Sequence, residues 1–270
     1  VVALRANRGL FQIDQVDLQT TATKLKATGQ FSFGGDSDLD VDLNSSDASE
    51  LQAVLISSGL LPEVDEQMRS YGIDLGGQLA FNGKVTGRLS NPDLDGQVSL
   101  GSLLVNGNDL GSLSAALRMT AAELRIDNGR LTERDGGSMQ FTLDAPRSGE
   151  NNTTFTATLD RVNAGNLIAA LPLSKATREQ FADTQADASG EIRITGIPNA
   201  MSGSADLRFG PGRLAGEPLE ALVARATFSG SKVSIENVDA RLTAGHIVAS
   251  GSYDTTSKAF DLQGRAEGVQ

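Results

Sequence analysis

The feature that most constrains this chain is a regular alternation of apolar and polar residues, which recurs almost to its end. Residues 38–43, for example, read Asp-Leu-Asp-Val-Asp-Leu. Successive side chains of a β-strand point to opposite faces, so a period of two predicts strands that are apolar on one face only. Many such strands with few helices predict a long antiparallel sheet. That sheet has one apolar face that something must cover.

The composition favours a thin sheet over a thick core. Hydrophobic residues make up 39% of the 270 residues, below the ~45–50% of an average globular domain. Aromatic residues make up only 4%, with no Trp and two Tyr. A closed core of this length normally uses more aromatic volume.

The charge and the residue types exclude several classes of function. The formal net charge is −11, and an acidic surface repels nucleic acid, so we expect no nucleic-acid partner. There is no Cys, which removes disulfides and thiolate chemistry. No apolar run approaches the ~18 residues of a membrane span, and no signal peptide is visible at the start. We therefore expect an internal fragment of a longer protein.

Two stretches break the alternation with helical spacing. In residues 48–71 and again in residues 164–186, apolar residues recur three or four positions apart. Pro62 and Pro172 lie partway through these stretches. Because proline breaks an interior helical turn, each insert is predicted to be two short helices, or one helix and a loop.

The two inserts mark an internal repeat. Leu51 and Leu167 occupy matching positions 116 residues apart, and the segments 107–110 and 216–219 match at an offset of 109. The chain is therefore predicted to contain the end of one repeat (1–46) and two further units (47–160 and 161–270). Such units stack on their neighbours, so we expect one continuous groove.

An ordered series of turns and strands gives a family resemblance. Residues 83–96 read G-K-V-T-G-R-L-S-N-P-D-L-D-G, and residues 106–113 read N-G-N-D-L-G-S-L. The strand Leu124–Leu131 follows, and a degenerate second copy of the series begins at residues 196–203. This series resembles the repeat of the translocation and assembly module TamB family, within the AsmA-like group.

The resemblance implies both a fold and a function. The implied fold is mainly β, an elongated, twisted, U-shaped antiparallel sheet (a β-taco) with an apolar interior groove and short helical inserts. The implied function is phospholipid transport between the two membranes of a diderm bacterium. It also implies a periplasmic location within a longer protein anchored in the inner membrane, and an outer-membrane barrel partner bound through other parts of that protein. An older view of the family implies assistance to outer-membrane protein assembly.

The residues predicted to line the groove are the inward-facing apolar positions of the strands. They are Leu75, Leu79, Phe81, Val85, Leu89, Leu94, Val98, Leu100, Leu117, Leu124, Ile126, Phe141, Leu143, Ile192, Ile194, Leu207, Phe209, Val233, Ile235 and Leu262. Phospholipid acyl chains are the expected ligand, since burial of each CH₂ is worth ~0.8 kcal/mol. The same alternation is compatible with an ordinary β-sandwich core closed against water.

Other candidate features have simpler structural interpretations. His246 is expected on a strand surface, and a single His without Cys provides few zinc ligands. The aspartates of residues 36–42 resemble a calcium loop but lack its Gly and Glu, so strand alternation places them on the solvated face. The sequence contains neither a G-x-S-x-G elbow nor a Gly-Lys-Ser/Thr phosphate loop. We therefore expect no enzyme activity, no metal and no cofactor.

Two rival functions remain open at the level of sequence. The first is a structural or chaperone-like module whose strand edges engage outer-membrane protein precursors by strand addition. The second is a carbohydrate-active enzyme of the β-helix kind. The repeat length of about 110 residues argues against this alternative, because β-helices have short coil repeats.

Overall fold

The computed structural model of the chain describes residues 2–7, 10–32, 35–58, 66, 68–69, 72–88, 91–147, 152–170, 179–197, 200–254, 256–257 and 259–268. Within these residues, seventeen strands and two short helices have described bounds, and residues 66, 68–69 and 179–180 are also helical. The strands are β1 (Val2–Asn7), β2 (Leu10–Gln19), β3 (Thr23–Ser32), β4 (Ser37–Ser45), β5 (Ile73–Arg88), β6 (Asn91–Val105), β7 (Asn108–Asp109), β8 (Ser112–Met119), β9 (Glu123–Thr132), β10 (Ser138–Pro146), β11 (Thr153–Asn163), β12 (Gln185–Ile197), β13 (Met201–Leu214), β14 (Glu217–Gly230), β15 (Lys232–Leu242), β16 (Gly245–Asp254) and β17 (Phe260–Glu267). The helices are α1 (Ala48–Ser58) and α2 (Ala164–Ala170).

The chain divides into two compact units, Val1–Leu131 (unit 1) and Thr132–Gln270 (unit 2). In unit 1, each strand from β1 to β5 pairs antiparallel with the next strand of the chain, and β6 also pairs with β7 and β8. In unit 2, each strand from β10 to β16 pairs antiparallel with its successor. The predicted fold class, a mainly β antiparallel sheet with short helical inserts, is confirmed.

Matching hairpins occur in the two units because matching turn sequences impose them. Asn106 and Gly107 have φ angles of 51° and 79°, and Ala215 and Gly216 have φ angles of 51° and 88°. Two successive positive φ angles define the type I′ turn, whose twist suits a tight hairpin. These turns join β6 to β7 and β13 to β14. The predicted repeat boundaries at residues 46 and 160 stay a prediction.

Both helices start where the helical spacing begins. The carboxylate of Asp47 accepts hydrogen bonds from the N–H groups of Ser49 and Glu50, at 3.0 and 3.4 Å, and so caps α1. The side chain of Asn163 accepts from the N–H of Gly165 at 2.8 Å and caps α2 in the same way. Residues 59–65 and 171–178 lie outside the described residues. Neither described helix is long and apolar enough to cross a membrane.

A β-bulge resets the alternation within β11. Leu159 faces Gly190 of β12, whereas Val162 faces Ala188, so β11 holds one extra residue. Arg161 takes up this residue with a φ of 50°, a left-handed conformation that is uncommon for a side chain of this size. The shift turns Val162 onto the same face as Leu159, and both side chains are buried, at 1% and 3% exposure.

The bulge predicts opposite effects for two substitutions of Arg161. Arg161→Gly removes the Cβ from a left-handed position, so we expect the free energy of unfolding to rise by about 0.5–1 kcal/mol. Arg161→Val should lower it by about 1–2 kcal/mol, since a β-branched residue resists this conformation. Arg193→Val, at an exposed position in the regular part of β12, is the control and should change stability little. Urea denaturation measures all three, and equal effects of the two valine variants would contradict the interpretation.

The turn between β16 and β17 is held by one carboxylate. Asp254 accepts hydrogen bonds from the N–H groups of Thr256 and Ser257, at 3.0 and 2.7 Å, and from the hydroxyl of Ser231 at 2.7 Å. These donors, the Ser257 N–H foremost, lower the pKa of Asp254 to about 2 from the ordinary value of 3.8. The ionised form is therefore the one that stabilises the turn.

The lowered pKa of Asp254 fixes the direction of a pH effect. A carboxylate with a depressed folded pKa contributes stability that is fully present above its unfolded pKa, near 3.8, and is lost as the pH falls through about 2. We expect the wild type to lose more stability than Asp254→Asn between pH 5 and about 2. Denaturation at several pH values checks this, and a carboxylate titration near 3.8 by NMR would contradict it.

Candidate functional site

The strand register of unit 1 gathers apolar side chains into rows that run across the strands. Phe81 of β5 faces Leu43 of β4 on one side and Val98 of β6 on the other. Leu43 in turn faces Leu25 of β3. We call this surface the apolar face of unit 1. Its rows are Leu18–Leu25–Leu43–Phe81–Val98–Ala115, Val16–Ala27–Val41–Gly83–Gly96–Leu117 and Ile13–Gly29–Leu39–Val85–Leu94–Met119.

The middle row of this face carries small residues where the flanking rows carry large ones. Gly83 and Gly96 face each other directly. A Cβ on Gly83 would lie 2.3 Å from the carbonyl oxygen of Asp95, and a Cβ on Gly96 would lie 2.9 Å from the ring of Phe81. The aromatic ring therefore lies over the glycine pair. Beside this pair, Ala27 and Val41 continue the row with side chains smaller than Leu25 and Leu43 next to them.

Unit 2 builds an equivalent surface, which we call the apolar face of unit 2. Leu207 of β13 faces Gly190 of β12 and Ala224 of β14, and Phe209 faces Ala188 and Leu222. Small and large side chains again alternate. Its rows include Phe141–Ala157–Ile192–Ala205–Ala226–Ile235–Gly251–Leu262 and Met139–Leu159–Gly190–Leu207–Ala224–Val238–Ala249–Gly264.

The exposure of these side chains shows how well each face is covered. Of the predicted groove residues that the structure describes, all but two are half-buried. Leu100 is buried at 4% exposure, and Leu262 is 61% exposed. The largest side chain with an exposure below 2% in the described residues is only a valine, Val162. A closed sandwich would bury many large apolar side chains fully.

The packing within each unit agrees with this exposure. Within each unit, the extensive contacts between described elements join strands that are neighbours in the sheet, or a helix and one or two strands. Helix α1 packs on β5, and α2 packs on β11 and β12. A single layer of strands with a short helix on it leaves most of an apolar face without a second layer. The sandwich alternative is therefore not supported within either unit.

Helix α2 covers one end of the apolar face of unit 2. Leu167 contacts both buried clusters of this unit, the one around Leu159 and Val162 and the one around Ala188 and Leu222. Ala164, at the start of the helix, is buried at 1% exposure. The helix thus packs on the end of the face where the β11 bulge places Val162. It does not extend over the rest of that face.

A buried carboxylate holds α2 in place. Glu133 is only 5% exposed. Its carboxylate accepts a hydrogen bond from the backbone N–H of Asn163 and another from the side-chain amide of Asn166, both at 2.8 Å. Gly137 leaves space for this side chain, since a Cβ there would lie 2.5 Å from Oε2 of Glu133.

Loss of the Glu133 carboxylate should release α2 from the sheet. Glu133→Ala leaves the Asn163 N–H without its acceptor, so we expect a loss of about 2–3 kcal/mol in unfolding free energy. It should also raise hydrogen exchange across residues 163–170. Asp135→Ala, in the exposed turn nearby, is the matched control. If α2 exchanges no faster in Glu133→Ala than in the control, Glu133 does not hold the helix.

The structure places most of the predicted groove residues on these two faces. In unit 1 the register brings together Leu79, Phe81, Val85, Leu94, Val98, Leu100 and Leu117. In unit 2 it brings together Phe141, Leu143, Ile192, Ile194, Leu207, Phe209, Val233, Ile235 and Leu262. Leu124 and Ile126 are half-buried in β9, and Leu75 lies beyond a register shift in β5. Leu89 lies outside the described residues. A groove continuous along the whole chain stays a prediction.

Sequence reasoning missed part of each face. Phe11 and Phe31 pack with ring centroids 6.0 Å apart, and Phe155 packs on Phe141 at 6.2 Å. The alternation in β2, β3 and β11 was the available signal for these residues. Val162 gave no such signal, because the bulge puts it out of phase with Leu159.

The polar faces of the strands carry paired charges. The ammonium of Lys84 lies 3.5 Å from Asp38 and 3.4 Å from Asp40, and the hydrogen bond to Asp40 is the main cause of its raised pKa. These aspartates lie on the polar face, as the alternation predicts. His246 lies 2.9 Å from Asp239 on a strand surface. Among the described residues, no cluster of three or more His, Cys, Asp or Glu side chains is arranged to hold a metal.

Comparison with known proteins adds no relative. No family model matches the chain, and neither a curated protein nor a solved structure matches it. The resemblance to the TamB repeat therefore rests on the residues quoted above.

Proposed function

We propose that this chain binds phospholipid acyl chains on its apolar faces and belongs to a bridge-like lipid transporter. The observation that carries the proposal is the half-buried state of these faces, which lack a second layer of strands within either unit. An apolar surface of this extent is costly to leave in water. A hydrocarbon chain covers it without requiring any specific polar contact.

The dimensions of the faces suit an acyl chain. One leaflet contributes about half of the ~30 Å hydrocarbon core of a bilayer, so an acyl chain reaches about 15 Å. Neighbouring strands lie ~4.8 Å apart, so such a chain spans about three strands. Each face crosses at least six strands. Each can therefore hold an acyl chain at several overlapping positions.

The rows of the faces favour movement between those positions. A row of small residues such as Ala205 and Ala226, which face each other, offers similar contacts from one strand to the next. Burial of each CH₂ group contributes ~0.8 kcal/mol of binding free energy wherever the group lies on such a surface. Because the gain is nearly uniform, we infer a low barrier to sliding across the strands.

The setting of the proposed transport follows from the family resemblance. We place the chain in the periplasm of a diderm bacterium, within a longer protein anchored in the inner membrane and directed toward an outer-membrane barrel partner. The protein performs no chemistry in this proposal and needs no cofactor. In this proposal the half-exposed His246–Asp239 pair and the Lys84–aspartate pairs keep the solvent-facing side of the sheet polar.

Site-specific crosslinking tests the proposal directly. A photo-reactive residue at Phe81 or Phe209, on the apolar faces, should form adducts with labelled phospholipid. The same residue at Asn82 or Arg208, one position along and on the polar faces, should not. Native mass spectrometry of the protein purified from bacteria should also detect bound phospholipid. Equal labelling at both kinds of position would overturn the proposal, as would lipid-free protein that crosslinks to unfolded barrel strands.

A bulky residue on the face should block lipid without adding a buried charge. In Ala205→Trp the indole covers the small side chains around Ala205 and Ala226, so we expect at least a threefold loss of bound phospholipid with little change in unfolding. Ser202→Trp places the same side chain at an exposed position on the opposite face of the same strand and should bind normally. In unit 1, Leu79→Asp places a charge on the apolar face and should also reduce bound phospholipid, whereas Gln78→Asp, at an exposed position, should bind normally. Equal lipid content in Ala205→Trp and Ser202→Trp would contradict the site.

A further inference from the structure

A cavity of about 380 Å³ lies in unit 1, over one row of side chains on the polar face of the sheet. The row crosses four neighbouring strands, β3 to β6, and its members are Lys24, Asn44, Ala80 and Ser99. Thr20, Thr21 and Gln78 also line the cavity. Its volume lies within the ~300–1,000 Å³ of small-molecule sites in proteins.

A turn and a β-bulge bring further polar groups to this row. The turn between β2 and β3 is closed by two hydrogen bonds: the N–H of Thr20 donates to the carbonyl of Thr23 at 2.8 Å, and the N–H of Thr23 donates to Oγ1 of Thr20 at 3.0 Å. The bulge in β5 sets Gly77 and Gln78 opposite Gly101 alone. Gly77 permits the bulge because it has a φ of 68°.

The cavity carries a positive charge and no carboxylate. Lys24 is the only charged residue in its lining. In the described part of the chain the Lys24 ammonium forms no ion pair, whereas that of Lys84, on the same face, lies 3.5 and 3.4 Å from two aspartates. In the row beside the cavity, Asp42 faces Lys26 and accepts a hydrogen bond from the amide of Asn44. The charge of Lys24 is therefore available to a ligand, in a chain whose net charge is −11.

Two other cavities differ from this one in their charges. The neighbouring cavity on the polar face of unit 1, of about 510 Å³, is lined by three aspartates as well as by two lysines. A cavity of about 550 Å³ in unit 2 is lined by Glu220 and Glu267. Carboxylates repel an anion and also pair with nearby cations. Of these three cavities, the one at Lys24 is the one whose charge suits an anionic ligand.

The uncharged side chains of the cavity supply hydrogen-bond donors. The side chains of Thr21, Gln78 and Ser99 form no hydrogen bond with another described residue. Oγ1 of Thr20 accepts from the N–H of Thr23, so its own proton remains available for donation. An ammonium group with several hydroxyl and amide donors suits a phosphoryl group, whose oxygens are all acceptors. No aromatic side chain lines the cavity, so a nucleobase has nothing to stack on.

We propose that this cavity binds a phosphoryl group, with the Lys24 ammonium as the counter-ion and Thr20, Gln78 and Ser99 as hydrogen-bond donors. Free phosphate and the headgroup of a phospholipid both present this chemistry, and a cavity of about 380 Å³ has room for either. The site lies on the opposite face of the sheet from the apolar rows of unit 1. It is therefore independent of the proposed binding of acyl chains.

NMR titration of the intact chain at constant ionic strength tests the site. The probes are inorganic phosphate and glycerophosphoethanolamine, a phospholipid headgroup without acyl chains that cannot use the apolar faces. We expect saturable amide shifts at residues 20–24, 44–46, 78–80 and 99, and no such shifts with glycerol. Tighter binding of the headgroup assigns the site to phospholipid, and tighter binding of inorganic phosphate assigns it to free phosphate. Equal affinities show that the phosphoryl group alone is recognised.

Paired variants separate this site from a general attraction of anions. Lys24→Gln should weaken binding of the tighter probe at least fivefold, whereas Lys26→Gln, two positions along the same strand and on the same face, should bind normally. Ser99→Asp should weaken binding likewise, with Gln97→Asp as its control. All four side chains are exposed, so no variant should unfold. The proposal is overturned if the members of either pair bind alike, if glycerol gives the same shifts, or if neither probe shifts these residues.

Discussion

The rest of this structure depends on one constraint. Strand pairing satisfies the backbone hydrogen bonds of a β-sheet, but it provides no packing partner for the apolar side chains on its faces. Each strand here pairs antiparallel with a neighbour, which satisfies the N–H and C=O groups along the ladder. Because of the alternation, every second side chain lies on one face of the sheet, and the apolar residues there form rows across the strands. Two short helices cover a small part of those rows. Among the described residues, most of this apolar surface has no second layer within its own unit, and this is why the inferred function is one of binding.

The alternation made the fold class predictable, because it is a local signal with a fixed period. Strands such as β4 and β6 can be read directly from residues 37–45 and 91–105, and the helical spacing after Asp47 marked the start of α1. Most of the face residues followed from the same signal. The register then showed which of them are neighbours: Phe81 meets Leu43 and Val98, a fact that no single strand contains.

The features that escaped prediction depend on backbone conformation or on distant contacts. Arg161 adopts a positive φ that its residue type does not suggest, so the change of phase that buries Val162 was invisible. Glu133 resembles any solvated carboxylate of a turn, yet it accepts hydrogen bonds from residues 30 and 33 positions later in the chain. The exposure of Phe260 and Leu262 also had no local signal, because β17 alternates apolar and polar residues as the better covered strands do.

The largely sequential pairing of the strands also bears on how this protein acquires its structure. Because most strands meet the strand just before or just after them, native contacts join neighbouring segments of the chain and the entropy of closing each connecting loop is small. Any hairpin can serve as a nucleus, and the sheet can lengthen from it one strand at a time. Growth of this kind does not require the whole polypeptide to be present, so ordered structure can form while the remainder of the chain is still being synthesised.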